Sequence, residues 1–168
     1  MQRSLSLALL CASLSLLAGC QGLLPSEAPS TQRAPFPEAE YAKLARSGSS
    51  TIAGQVSVDL GQGRVVPGAG VDVLAAPVTS YSREAYEALR AGRPIASADP
   101  RAQEYTRRTL ADDHGNFRFE HLAAGSYYLI SRLEWSTEEN GQQRRHRQPV
   151  QREVKVGEGA VSNVMLSP

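Results

Sequence analysis

An antiparallel β-sandwich of seven short strands is the fold class this sequence predicts, and three observations predict it. From Thr51 onward the apolar residues recur with a period of two, as where Val56, Val58 and Leu60 alternate with Gln55, Ser57 and Asp59. Gly- and Pro-rich turns such as Gly61-Gln62-Gly63 and Pro67-Gly68 separate the alternating runs. Most runs follow one another without a helical pattern between them, which argues against the βαβ alternation of a parallel sheet. A length of 168 residues holds one such domain and a non-globular N-terminal segment.

Residues 1–20 read as a secretory leader: Arg3, an apolar run from Leu5 to Leu17, then small residues before a cysteine. The run is too short for a comfortable helical crossing of a bilayer. Its ending, Leu17-Ala18-Gly19-Cys20, resembles the lipobox of bacterial lipoproteins, which implies that Cys20 is lipidated and opens the mature chain. Gln21 stands where such proteins carry Asp when they stay in the inner membrane, so the resemblance implies the outer membrane. Both cysteines, Cys11 and Cys20, lie in this leader or at its end, so the folded part is expected to use no disulfide and no thiol chemistry. Of the 18 Lys and Arg residues only Arg3 falls in the leader, leaving 17 against 17 Asp and Glu. A formally neutral domain argues against nucleic acid as a partner.

Gln21 to Pro35 is a tether, rich in Pro, Ser and Gln and poor in apolar residues. A flexible segment of that length spans roughly 20–25 Å root-mean-square. A short helix follows within the segment 21–50: Pro37 suits its first turn, Glu38 and Glu40 its positive end, and Gly48 its close, while Ala42, Leu44 and Ala45 offer an apolar face. The sandwich then occupies residues 51–168. Its strands are Thr51–Leu60, the segment around Val71 and Val73, Thr106–Leu110, Asn116–Phe119, Tyr127–Trp135, Val150–Val156 and Val161–Leu166. An insert over about 77–106 interrupts them. Ser82 is placed to cap a helix through Leu89, Tyr81 and Tyr86 to staple it, Gly92 and Pro94 to end it, and Asp99-Pro100 to begin a second turn. Long insertions are often functional, so Tyr81, Tyr86 and Arg90 form a candidate partner surface.

Three segments occur in a telling order: Gly54-Gln55-Val56 with Val66-Pro67-Gly68-Ala69-Gly70-Val71-Asp72-Val73, then Asp112-Asp113-His114-Gly115-Asn116-Phe117-Arg118-Phe119, then Leu122-Ala123-Ala124-Gly125-Ser126-Tyr127-Tyr128-Leu129. Together they resemble the carboxypeptidase regulatory-like domain over about residues 51–76 and 107–166. The resemblance implies a Greek-key, transthyretin-like sandwich that carries no catalytic chemistry of its own. Each segment also has a physical reading. Asp112–Gly115 suits a tight turn that sends Phe117 and Phe119 into the core, and Tyr127 suits a tyrosine corner.

No residue set demands a reaction. The serines and three histidines form no nucleophile–base motif, and the chain is expected not to be an enzyme and to need no cofactor. Asp112, Asp113, His114, Glu120 and His121 match no standard ligand spacing, so no metal is expected. Arg144, Arg145, His146 and Arg147 are the densest positive cluster. On a strand Arg144 and His146 face one way and Arg145 and Arg147 the other, and Glu134, Glu138 and Glu139 are placed to pair with them across a turn at Asn140-Gly141. Two functions follow as expectations. The first is a non-enzymatic protein-binding or scaffolding module of the cell envelope. The alternative is a carbohydrate or glycolipid binder using Trp135 with Arg144, Arg145 and Arg147.

Overall fold

β1 (Ser50–Asp59) carries one of two sheets in the computed structural model, which describes residues 32–168. The leader, Cys20 and the tether up to Thr31 lie outside the described residues. On one side β1 pairs antiparallel with β5 (Asn116–Leu122) and on the other it pairs parallel with β8 (Val161–Leu166). Its last three residues take β2 (Val65–Pro67). The second sheet has the order β4 (Arg107–Leu110), β3 (Asp72–Pro77), β6 (Gly125–Glu139), β7 (Gln142–Val156), antiparallel throughout.

The chain is thus all-β, with corrections to the expected strands. The described residues hold eight strands rather than seven, because Val65–Pro67, read as turn, forms a ladder with Ser57–Asp59. The sandwich is not wholly antiparallel either. β7 ends in the second sheet, Gly157–Ala160 crosses to the first, and the chain enters beside the start of β1, where Thr51 donates to the Ala160 carbonyl. A crossover between sheets lifts the antiparallel constraint that a hairpin imposes. Tyr127–Trp135 and Val150–Val156 are the inner parts of a longer hairpin with 15 residues in each arm. Asn140 and Gly141 close it with φ of 54° and 74°, the pattern of a type I′ turn.

Between the sheets, Ile52, Val56, Phe117, Phe119 and Leu166 meet Val73, Ala75, Leu129, Leu133 and Val150. Gly54 has a specific task at their contact. A Cβ there would lie 2.1 Å from the Val164 carbonyl oxygen and 2.7 Å from the Phe117 ring, so only glycine lets that ring lie on β1. Tyr127 donates its hydroxyl to the Ala123 carbonyl at 2.9 Å, which is the expected corner. Tyr128 faces the other side of β6 and is buried as well, because Tyr86 stacks on it at 4.1 Å. The helix carrying Tyr86, α2 (Ser80–Arg90), covers the outer face of the second sheet, which explains why β6 is apolar on both faces.

The insert and the chain entering the sandwich form a second, smaller core. α1 (Glu38–Tyr41) is one turn and does not run to Gly48, since the N–H groups of Lys43 and Leu44 already bond only three residues back. Tyr41 packs with Phe36, Tyr81 and Tyr105, and α3 (Pro100–Gln103) adds Ala102. Arg33 lies over the Tyr81 ring at 3.8 Å and donates to the Tyr81 carbonyl at 2.6 Å. Glu40 accepts from the Ser80 N–H at 2.9 Å. Thr79, not Ser82, is the N-cap of α2. Ser82 is the third helical residue of a reciprocal capping box, because the helix starts earlier than its apolar pattern.

Gly54→Ala should lower the unfolding free energy by about 1–3 kcal/mol in a denaturant titration, the cost of overpacking a closed core. Phe36→Ala should act locally. Trypsin should cut after Lys43 or Arg46 faster than in the parent chain while the sandwich's unfolding midpoint moves little, since Phe36 packs in the small core and not in the main one.

Candidate functional site

Two cross-strand rows make a shallow groove on the outer face of the first sheet. In a strand alternate side chains share a face, and residues opposite each other across a ladder share it too. Register therefore fixes the first row as Arg118 of β5, Ala53 of β1 and Asn163 of β8, and the second as Asn116, Gln55 and Met165. The row centres differ in height. Ala53 has only a methyl group, so the surface dips between Arg118 and Asn163. Thr109 and Leu110, at the end of β4, wall the β5 side, and the groove, open to solvent along its length, has a volume of about 850 Å³. From β5 to β8 it crosses two strand spacings, about 10 Å.

Its polar groups are held in place by a backbone carbonyl and by carboxylates. Gln55, which lines the groove, donates its side-chain N–H to the His114 carbonyl at 2.8 Å, and its side-chain oxygen has no hydrogen-bond partner among the described residues. Asn116 donates to Asp112 at 3.1 Å and likewise keeps a carbonyl free. Asp112 Oδ1 accepts the backbone N–H groups of His114 and Asn116 at 2.9 and 2.8 Å. The Asn116 side-chain amide above all, then the Asn116 and His114 backbone, holds the Asp112 carboxyl below the usual range, so it stays ionised. Arg118 spends its Nε on Glu120 at 2.7 Å, leaving its terminal nitrogens. Leu110 and Met165, 63% and 45% exposed, are two of the four large apolar residues left most open to solvent among the described residues. They stand at opposite ends of the groove and offer hydrocarbon beside the amides. Fixed acceptors and donors flanked by apolar edges suit a ligand with hydroxyls on one side and C–H groups on another.

The residues singled out from sequence are placed elsewhere. Tyr81 is 5% exposed and belongs to the small aromatic core, so it is not available as a partner surface. Its place two residues after the cap turns it toward Tyr41, whereas Tyr86 turns onto Tyr128. Arg90, near the end of α2, stays exposed within reach of Glu87. Trp135 and His146 are register partners whose rings stack at 5.2 Å, and Trp135 also packs against the edge of the main core. One indole face is therefore already covered. Thr137 Oγ1 lies 2.7 Å from His146 Nε2 and fixes the imidazole. Arg147 pairs with Glu134 at 2.7 Å and Arg144 with Glu139 at 3.0 Å, so the cluster does not form a single positive patch. Arg145 lies opposite Ser136 on the face away from Trp135. Among the described residues no three His, Cys, Asp or Glu side chains gather as metal ligands.

Ala53, Gln55, Arg118 and Asn163 carry no ligand signature in the sequence. The one available signal was the strand periodicity itself, which sets Gln55 and Asn116 outward beside inward Val56 and Phe117.

No protein-family model matches the chain, and no curated protein matches it in sequence. A solved crystal structure does. It is a protein of Pseudomonas aeruginosa, provisionally described as carbohydrate binding, with a TM-score of 0.72 and 29% identity. The match covers 81% of this chain and 99% of that one, so the two share one architecture along nearly the whole length of the solved protein.

Proposed function

We propose that this chain is a non-enzymatic saccharide-binding module of the bacterial cell envelope, with the saccharide lying in the groove of the first sheet. The observation that carries the proposal is the pair of rows Arg118–Ala53–Asn163 and Asn116–Gln55–Met165, in which the Gln55 and Asn116 amides are fixed through their N–H groups and keep their carbonyl oxygens, beside the exposed apolar Leu110 and Met165. The solved structure at 29% identity supports the same reading through its description. A protein partner docked on the insert is the less favoured reading, since Tyr81 is consumed inside the molecule. Locked side chains lose little entropy on binding, which suits a weakly hydrophobic ligand such as a sugar.

The sandwich is, in this proposal, a Greek-key domain of the carboxypeptidase regulatory-like kind. The turn at Asp112–Gly115 and the Tyr127 corner support it, both being folding devices of that pattern. Lipid on Cys20 holds the domain to the membrane, and Gln21 directs it to the outer one.

Ala53→Tyr tests the groove without removing any polar partner, because the new ring fills the dip on a solvent-facing side. Binding in a glycan array should be lost, the thermal midpoint should hold, and Arg145→Ala should leave binding intact. Retention of binding in Ala53→Tyr with loss in Arg145→Ala would move the site to the long hairpin. Labelled palmitate fed to expressing cells should enter the parent chain and not Cys20→Ser. Equal labelling of both would remove the anchor.

A further inference from the structure

We infer that the groove selects neutral saccharide chains and rejects acidic ones, an inference that rests on the saccharide reading above. Two charged side chains line the groove, Asp112 and Arg118. Asp112 has both oxygens engaged by the turn it caps, and those donors keep it an anion. Arg118 is matched by Glu120 at 2.7 Å, so its charge is offset and a second carboxylate stands just outside the rim. A uronate or sulfate entering here meets one guanidinium that is already paired and two carboxylates of its own sign.

The nearby cations do not alter that balance. Arg108 is bound to Asp72 through two contacts of 2.6 Å. Arg152 caps the Met165 carbonyl at 3.0 Å from the β7 side and does not line the groove. Beside the terminal nitrogens of Arg118, what remains unspent in the groove among the described residues is neutral: the carbonyls of Gln55 and Asn116 and the carboxamide of Asn163. These are dipoles for hydroxyl groups, and they retain their strength in salt because no net charge is neutralised on binding. Discrimination is thus built from repulsion as much as from attraction.

Affinity electrophoresis of the full chain tests this, with dextran, laminarin or hydroxyethylcellulose as neutral polymers in the gel and alginate as the acidic one, each at low and high salt. The expected result is retardation by at least one neutral polymer, persisting at high salt and absent in Ala53→Tyr. Retardation by alginate should be at least about tenfold weaker, the like-charge cost. Glu120→Gln, an exposed change that frees Arg118, should narrow that gap. Stronger retardation by alginate, relieved by salt and lost in Ala53→Tyr, would overturn the charge selection and leave the saccharide reading standing. Silence toward all four polymers would overturn both.

Discussion

The parallel pairing of the last strand with the first is the interaction on which the rest depends. β8 bonds to β1 from Thr51–Val161 to Val56–Leu166, and nothing local in sequence brings them together. The pairing adds a fourth strand to β1, β2 and β5 and gives β1 a partner along both edges over Ile52–Gln55. It places Leu166 in the core and sets Asn163 and Met165 on the outer face level with Ala53 and Gln55. Remove it, and both the closed sandwich and the far side of the groove are gone. The glycine at position 54 belongs to the same constraint, since β8 and Phe117 converge on β1 where a side chain would otherwise stand. Because such contacts join distant parts of the chain, they cost loop-closure entropy and slow folding relative to local pairing.

The insert has a role that its position alone does not suggest. α2 covers the outer face of the second sheet, and Arg33, Phe36 and Tyr41 are bound into its flank. The groove opens on the outer face of the first sheet. The chain therefore arrives on one side of the sandwich and presents its candidate site on the other.

Local patterning was readable wherever one residue's chemistry decides a structure. Phe117 and Phe119 alternate into the core, Tyr127 finds its corner, Asp99 caps α3, and Asn140-Gly141 turns the long hairpin. Features made by register were not readable. β2 is three residues ending in Pro67, recognisable as a strand only beside Ser57–Asp59. The groove collects Ala53, Asn116 and Asn163 from three separate segments, and none is unusual alone. Trp135 shows what register adds to a single residue. A lone indole at a strand end suggests a ligand platform, and the register sets His146 on one of its faces. Tyr81 misleads, because the aromatic partners that bury it lie outside the insert, on the entering chain, or beyond its helix.

The claim that the amide-lined groove is the ligand site is tested most directly by titrating the isotope-labelled chain with a neutral oligosaccharide and mapping the amide shifts by NMR. The shifts should centre on Gln55, Asn116, Arg118 and Asn163, with the side-chain amides of Gln55 and Asn163 among the largest. Shifts centred instead on Trp135, Arg145 and the turn at Asn140-Gly141 would contradict it and return the site to the long hairpin.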